Sequence, residues 1–408
     1  MGTTFVGFGF GPIQTGLMLC EAVASGSFER FVIAEVDQGL VDAVRAAGGA
    51  VSINIAGSTG ISAMVLPRLE LYNPRNPDDR KAIVAAIGEA AELATAIPSV
   101  DFYTMGGESS IAAMIAAGVD ERRQRIIYTA ENNNFAAEIL KAAVQKCAPG
   151  KRFDGLQILN TVVGKMSGAV SSPAEMKRLG LAPLVQGFEK CVLVEEFNRI
   201  LITRITLPGF FRGIRVFEEK DDLLPFEEAK LFGHNAVHAV LGYLAWLRGY
   251  DVMSRIGADA ELLAFGRDEL LHESGAALRA KHGGTGDPLF TEAGYAAYAD
   301  DLLGRIINPW LLDRVERIIR DPRRKLGWND RLFGTMRLAA ERGIEPRRMA
   351  LGAAAAVHYA LTSEKSDDTP RKLLGTLWGK EAEAHQAEKC ISLVEASRPA
   401  LRQWRANE

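Results

Sequence analysis

A lysine, an asparagine and two histidines share the nine residues KLFGHNAVH, Lys230 to His238, among apolar neighbours. The stretch before them, DDLLPFEEA, puts acidic residues ahead of and within a first turn and Pro225 where a missing N–H is tolerated, so a helix is predicted to begin there and to include Lys230 to His238. With Lys230 as zero and about 100° per residue, His234 lies at about 40°, Glu227 at about 60°, His238 at about 80° and Asn235 at about 140°. All five polar groups therefore face one arc. A solvated helix face would explain their polarity, yet Leu231, Val237, Val240, Leu241 and Leu244 leave little of this helix for solvent. A polar arc on a buried helix needs partners or a ligand.

The chemistry that suits this arc is oxidation of an alcohol, in which a hydroxyl proton leaves while hydride moves to a nicotinamide. Lysine titrates near about 10.4 in water and desolvation favours its neutral amine, which makes Lys230 the candidate general base. Asn235 and a second amide are suited to donate to the developing alkoxide. His238, two turns along, is a candidate to bind a substrate hydroxyl, and Glu227 to pass the proton outward. His234 is read as structural, because the arc already has its acceptors.

A nicotinamide needs a nucleotide site, and VGFGFGPIQTGL supplies a candidate where a first strand should turn into a first helix. Gly9 and Gly11 are placed to give a tight turn and to let the backbone approach a pyrophosphate at a helix amino terminus. Pro12 and Ile13 follow in the same loop and complete the set. The third glycine position holds Gln14, and a Gly-rich turn without a ligand has the same look. The second strand ends IAEVD, placing Glu35 about 20 to 25 residues after the glycines, where a carboxylate accepts from adenosine ribose hydroxyls and repels a 2'-phosphate. NAD is thus favoured over NADP, with Asp37 a possible sharer of the role and a merely solvated strand-end acid the plainer alternative.

The elements that must carry these groups follow from pattern. TTFVGFG, RFVIAEV (30–36), VSINI, VDFYTM and RIIYTA (125–130) read as five strands alternating with Ala-rich segments, and AIVAAIGEAAELATAI as a helix before the fourth. From about Leu224 long amphipathic segments such as AVHAVLGYLAWLRGY replace the strand-like runs. The expected class is α/β: a Rossmann-type doubly wound parallel sheet in residues 1–222, followed by a mainly α-helical substrate or catalytic domain in residues 223–408. The boundary is placed near EEKDDLLP, a charged run ending in proline.

Composition narrows the partners. With 408 residues, 48% apolar content and a formal charge of -3, nothing global draws the chain to nucleic acid or an anionic membrane. Cys20, Cys147, Cys191 and Cys390 lie too far apart for a recognisable zinc spacing, so reduced, mostly buried thiols and no metal are expected. No stretch stays apolar for the roughly 18 residues that a membrane span requires, and the start of the chain lacks a basic flank and cleavable apolar run. A cytoplasmic enzyme or binding protein, either a monomer or a small homo-oligomer, is the expectation.

Lys-x4-Asn-x2-His, here Lys230, Asn235 and His238, resembles the signature of the polyol-specific long-chain dehydrogenases, the mannitol dehydrogenase family. FGFGPIQTG resembles that family's nucleotide loop, IAEVD its ribose acid, and TAENNNFAAEIL its Asp/Glu-Asn turn, which implies Asn132 as the second oxyanion donor. KLFGHNAVHAVLGYLAWLRGY and GRIINPWLLDRVERIIRDPRRKLGWNDRL are more similar to members acting on mannitol 1-phosphate than to the longer mannitol and uronate enzymes. By that likeness Arg317 and Lys325 face the substrate, binding hydroxyls or neutralising a phosphate. The plainer reading of Arg320 to Lys325 is a solvated basic run.

The resemblance implies a zinc-independent, NAD-dependent oxidoreductase that interconverts a sugar alcohol, or its phosphate, with a ketose, mannitol 1-phosphate and fructose 6-phosphate being the leading pair. Two departures leave the substrate open. NTVVGKMSGAV has Gly164 and Lys165 where the family carries an acid and an arginine, so an acid near the substrate is missing or supplied elsewhere. Gln14 is expected to enlarge the nucleotide loop. An unphosphorylated polyol or sugar acid is the alternative substrate, and a nucleotide-binding protein without catalysis the alternative class.

Overall fold

The computed structural model describes residues 3–120 and 123–405. The chain divides into two compact units, Met1–Leu224 and Pro225–Glu408.

Among its described residues the first unit contains twelve strands: β1 (Thr4–Phe8), β2 (Arg30–Ala34), β3 (Val51–Ala56), β4 (Ile61–Leu66), β5 (Leu69–Tyr72), β6 (Ala90–Thr95), β7 (Arg125–Thr129), β8 (Leu156–Val162), β9 (Ser167–Val170), β10 (Cys191–Glu195), β11 (Leu201–Thr203) and β12 (Glu218–Lys220). Eight form one sheet in the order β12-β11-β8-β7-β6-β1-β2-β5. From β8 to β5 every neighbour is parallel, with Phe5 opposite Phe31 and Glu92, and β11 closes antiparallel on β8. Strand order reverses between β1 and β6, and a doubly wound sheet opens its ligand crevice at the carboxyl ends flanking such a point.

Both faces of this sheet are covered, so its central strands are apolar throughout. All five residues of β1 are buried. Phe5 enters one core with Leu17, Ile33 and Tyr128, while Val6 and Phe8 enter the other with Val32, Ile83 and Leu93. Such a strand has no alternation to distinguish it from a buried helix. That ambiguity explains the first of two corrections. The run expected as one helix over 82–97 is a helix only to Glu89, after which Ala90 turns extended and β6 begins. VDFYTM is a 3-10 turn, Val100–Tyr103, and supplies no strand.

A third correction concerns VSINI. It is a strand, β3, but it belongs to a second sheet in the order β4-β3-β10-β9. The third position of the main sheet falls to β5, which the short, partly charged LELY did not advertise.

The second unit is built from helices. Asn235–Leu247 is buried along nearly its whole length. Arg347–Ser363 packs on it so closely that a Cβ on Gly352 would lie 2.5 Å from Val240. Each fully buried aliphatic side chain here, such as Val240 or Leu244, contributes about 1.5 to 3 kcal/mol. The acidic, proline-containing start predicted for the helical segment is observed, with Leu224–Glu228 leading into Ala229–His234 and then Asn235–Leu247. Among the described residues no helix is long and apolar enough to cross a membrane.

Candidate functional site

In the first unit β1 ends at Phe8, and Gly9 takes φ +85, a left-handed conformation that disfavours a side chain. A Cβ there would also meet the Ala96 carbonyl at 2.7 Å, whereas one on Gly11 would meet nothing within 4 Å. The loop therefore leaves open space over Gly11 at the start of a helix, as a pyrophosphate requires. It borders a crevice of about 720 Å³ lined by Gly9, Gly11, Pro12, Ile13 and Glu35.

Glu35 is half-buried, and its Oε1 accepts from the Asp37 backbone N–H at 2.9 Å. Asp37 instead caps the helix Gln38–Ala46, accepting from Leu40 N at 3.2 Å. Of the two acids, Glu35 is the one that lines the crevice. Gln14 does not enlarge the loop. Its side chain is fully buried, turned away from the crevice, with neither amide atom hydrogen-bonded. The helix carrying it opens as a π-turn over Gln14–Leu19.

Asn132 is exposed on the turn after β7. The residue before it, Glu131, is buried and accepts from Ile97 N at 3.0 Å, from Thr95 Oγ1 at 2.8 Å and from the Tyr103 hydroxyl. Burial pushes its carboxyl up, against the pull of those donors. Glu131 therefore joins the crevice wall at Ile97 to the Asn132 turn. It is the acid of the Asp/Glu-Asn turn named in the sequence, where only Asn132 was assigned a role. Lys165, one of the two departures, is buried and donates to the Phe197 carbonyl at 2.8 Å.

In the second unit Lys230 lies on a π-turn, Ala229–His234, in which the Asn235 N–H bonds to the Lys230 carbonyl five residues back. The extra residue per turn shifts the angles expected from an ideal helix, and such turns recur at functional sites. Burial, opposed by Glu227 and assisted by Arg331, lowers the Lys230 amine to about 8. His234 and His238 have ring centroids 5.9 Å apart. Burial, with His238, Arg305, Lys230 and Arg331 around it, holds His234 well below the usual histidine range.

His238 reaches outside its helix. Its Nε2 lies 2.8 Å from Asp313 Oδ2, and Oδ1 of the same carboxylate accepts from Arg317 Nε at 3.1 Å and Nη2 at 2.6 Å. Burial pushes the Asp313 carboxyl up, but His238 and Arg317 outweigh it and leave it below the ordinary range. Leu312 precedes it at φ +55, a strained conformation costing about 1 kcal/mol or more for a branched residue. Arg317 remains partly exposed, at 40% of its side chain.

Arg320 to Lys325 is not a uniformly solvated run. Lys325 is only 4% exposed, and Nζ donates to the Arg320 carbonyl. Burial, with Arg331 and Arg324 nearby, lowers its amine to about 8. Arg331, a residue the sequence reading passed over, is anchored on Asp330 at 2.8 Å. Thr335 ties that segment to the π-turn by donating to the Phe232 carbonyl at 3.2 Å. Among the described residues no group of three or more His, Cys, Asp or Glu is placed to hold a metal.

This arrangement offers an amine lowered to about 8, an amide and a carboxylate-bound imidazole in the second unit, and a crevice fit for a dinucleotide in the first. Residues 222–393 match the mannitol dehydrogenase C-terminal domain family. The chain is 29% identical over 322 residues to a mannitol-1-phosphate 5-dehydrogenase of Brevibacillus brevis, covering 76% of this chain and 78% of that protein. A Pseudomonas fluorescens mannitol 2-dehydrogenase, solved as a ternary complex with NAD and D-mannitol, shares the fold with a TM-score of 0.69 and 15% identity, over 98% of this chain and 92% of that one. A substrate-free D-sorbitol dehydrogenase gives 0.75 and 15% identity, over 98% and 94%.

Proposed function

We propose, from the premise that this chain belongs to the mannitol dehydrogenase family, that it is an NAD-dependent oxidoreductase interconverting mannitol 1-phosphate and fructose 6-phosphate. The observation that carries the reaction type is the Lys230 amine, lowered to about 8 by burial and Arg331. A base whose proton affinity lies near working pH accepts a hydroxyl proton without binding it too tightly to release.

The nucleotide-loop glycines and Glu35 hold NAD, which when bound supplies the acceptor for the alcohol carbon's hydride. Lys230 takes the hydroxyl proton, and Glu227, close enough to raise the affinity of that amine for its proton, passes it outward. Asn235 donates to the oxygen as it gains charge, and Asn132 is proposed for the same task. His238 binds a neighbouring hydroxyl. Arg317 and Lys325 recognise the far end of the substrate.

Support for a phosphorylated substrate comes from the Brevibacillus brevis relative and from the basic residues Arg317, Lys325 and Arg331 within one short segment. A free polyol or sugar acid is the second reading. It is favoured by the Asp313 carboxylate, which already neutralises Arg317 at 2.6 Å.

The deciding experiment measures NADH formation with mannitol 1-phosphate and with mannitol from about pH 6 to about pH 10, for the native protein and Lys230→Ala. Oxidation is expected to rise to a basic optimum and to fall about a hundredfold or more in the variant. Near-normal oxidation by Lys230→Ala removes the lysine from its role. Turnover of mannitol alone transfers the assignment to the second reading.

A further inference from the structure

Resting on the reading above, we propose that Asp313 is the positioning residue of the polyol site: it fixes the His238 imidazole through Nε2 and the Arg317 guanidinium through its second oxygen, so that both meet substrate hydroxyls in one orientation.

The geometry specifies what this carboxylate does. Oδ2 takes Nε2 of His238 at 2.8 Å and Oδ1 takes Nε and Nη2 of Arg317 at 3.1 and 2.6 Å. Each oxygen thus serves one partner. The carboxylate is an acceptor only, so the neutral imidazole must carry its proton on Nε2 and keep the Nδ1 lone pair. That lone pair makes His238 an acceptor for a substrate hydroxyl. The reverse tautomer would point a lone pair at a buried carboxylate and a donor at the substrate.

Asp313 is not required to hold its own turn. The Met253 N–H bonds to the Asp313 carbonyl at 2.8 Å, and the Val315 N–H to the Asp251 carbonyl at 3.0 Å, on either side of a bridge between Val252 and Arg314. The backbone thereby places Asp313, leaving the side chain to act on its two partners. At 3% exposure it is shielded from solvent, and a carboxylate so buried orients its neighbours more strongly than one in water. Arg317, by contrast, remains partly open. Fixed by one buried partner and exposed beyond it, the guanidinium is pre-organised for a ligand.

The test compares the native protein with Asp313→Asn, which keeps size and removes charge. Its amide can donate to Nε2 and so release the imidazole into the other tautomer. Orienting partners of this kind are worth about 10- to 100-fold in affinity or activity. The expected result is a rise in KM for the polyol substrate of about tenfold or more with KM for NAD unchanged, and a less than additive loss when Asp313→Asn is placed in a His238→Ala background, where only the Arg317 share remains. Nitrogen-15 NMR of the labelled imidazoles tests the native chain directly, and should find His238 protonated at Nε2. Unchanged polyol KM in folded Asp313→Asn, additive losses in the double variant, or a proton on Nδ1 would each overturn the proposal. If Asp313→Asn does not fold, the NMR result on the native chain decides. If the native protein oxidises no polyol, the functional reading falls, while the NMR arm still reports whether Asp313 sets the tautomer.

Discussion

The Gln14 side chain lies directly over Gly7: a Cβ on that glycine would stand 2.3 Å from Nε2 and 2.9 Å from Cδ of the glutamine. In dinucleotide-binding folds the third loop glycine lets the first helix approach the first strand. Here the strand supplies the missing atom space. Gly7 sits in β1 with Gln14 above it, and the widened π-turn Gln14–Leu19 absorbs the larger residue. The departure from the glycine pattern is thereby taken up inside the fold and does not reach the crevice.

Gln14 pays a penalty for that position, because its amide is fully buried with neither atom hydrogen-bonded. An unmet buried amide costs about 1 to 3 kcal/mol. Gln14→Met, similar in length and apolar, is expected to stabilise the first unit by about 1 kcal/mol, and Gly7→Ala to destabilise it by about 1 to 3 kcal/mol through overpacking. Urea unfolding of the three proteins measures both. A lower midpoint for Gln14→Met would mean that the amide has a partner, such as a buried water.

The layout was legible where chemistry and period agreed. Gly9, Gly11 and Glu35 sit at strand ends fixed by the β1-β2 pairing, and the Lys230 helix announced itself by an acidic, proline-bearing start. The strands buried on both faces were not legible: β6, Ala-rich and continuous with a helix, has no alternation to read. Nor was Asp313. Its meaning lies in contacts with His238, 75 residues away, and Arg317. The π-turn at Ala229–His234 was equally hidden, since the same residues fit an ordinary helical wheel.

As the proposed base, Lys230 would link activity to stability through one titration. Burial, partly opposed by Glu227 and assisted by Arg331, lowers the amine from 10.5 to about 8. Between those values the unfolded chain holds a proton that the folded one has released, so stability rises with pH across that window. Below about 8 both forms are protonated and the full penalty of the buried cation remains. Lys230→Met is therefore expected to be more stable than the native protein at pH 7, with the difference shrinking as pH rises from about 8 towards 10.5. Urea midpoints across that range check it, and a difference that does not vary with pH would place the amine in water.

Glu35 should decide between the two nicotinamide dinucleotides. It lines the crevice, while Asp37 is engaged at a helix cap. Glu35→Ala is expected to raise KM for NAD by about tenfold, the loss of one good charge-assisted pair, and to allow reduction of NADP. Asp37→Ala should leave the cofactor preference intact and weaken the helix by about 1 kcal/mol. Steady-state kinetics with both cofactors would sink this assignment if Asp37→Ala, and not Glu35→Ala, admitted NADP.

Lys325 separates a phosphorylated substrate from a free one. Arg317 is already paired with Asp313, and Arg331 with Asp330. The Lys325 amine bonds to the neutral Arg320 carbonyl, so its charge has no such direct counter-ion there, although Asp321 and Asp330 lie close enough to favour its proton. Burial, with Arg331 and Arg324, places its titration at about 8. The amine is thus a cation below that pH and loses its charge above it. A phosphate bound through Lys325 should accordingly bind more weakly as pH rises through about 8, so KM for mannitol 1-phosphate increases there while KM for mannitol stays level. Lys325→Met should raise KM for the phosphate by about tenfold or more, the scale of one lost charge-assisted contact, and remove that pH dependence. Equal losses on both substrates would instead mark Lys325 as a support for the Arg320 turn.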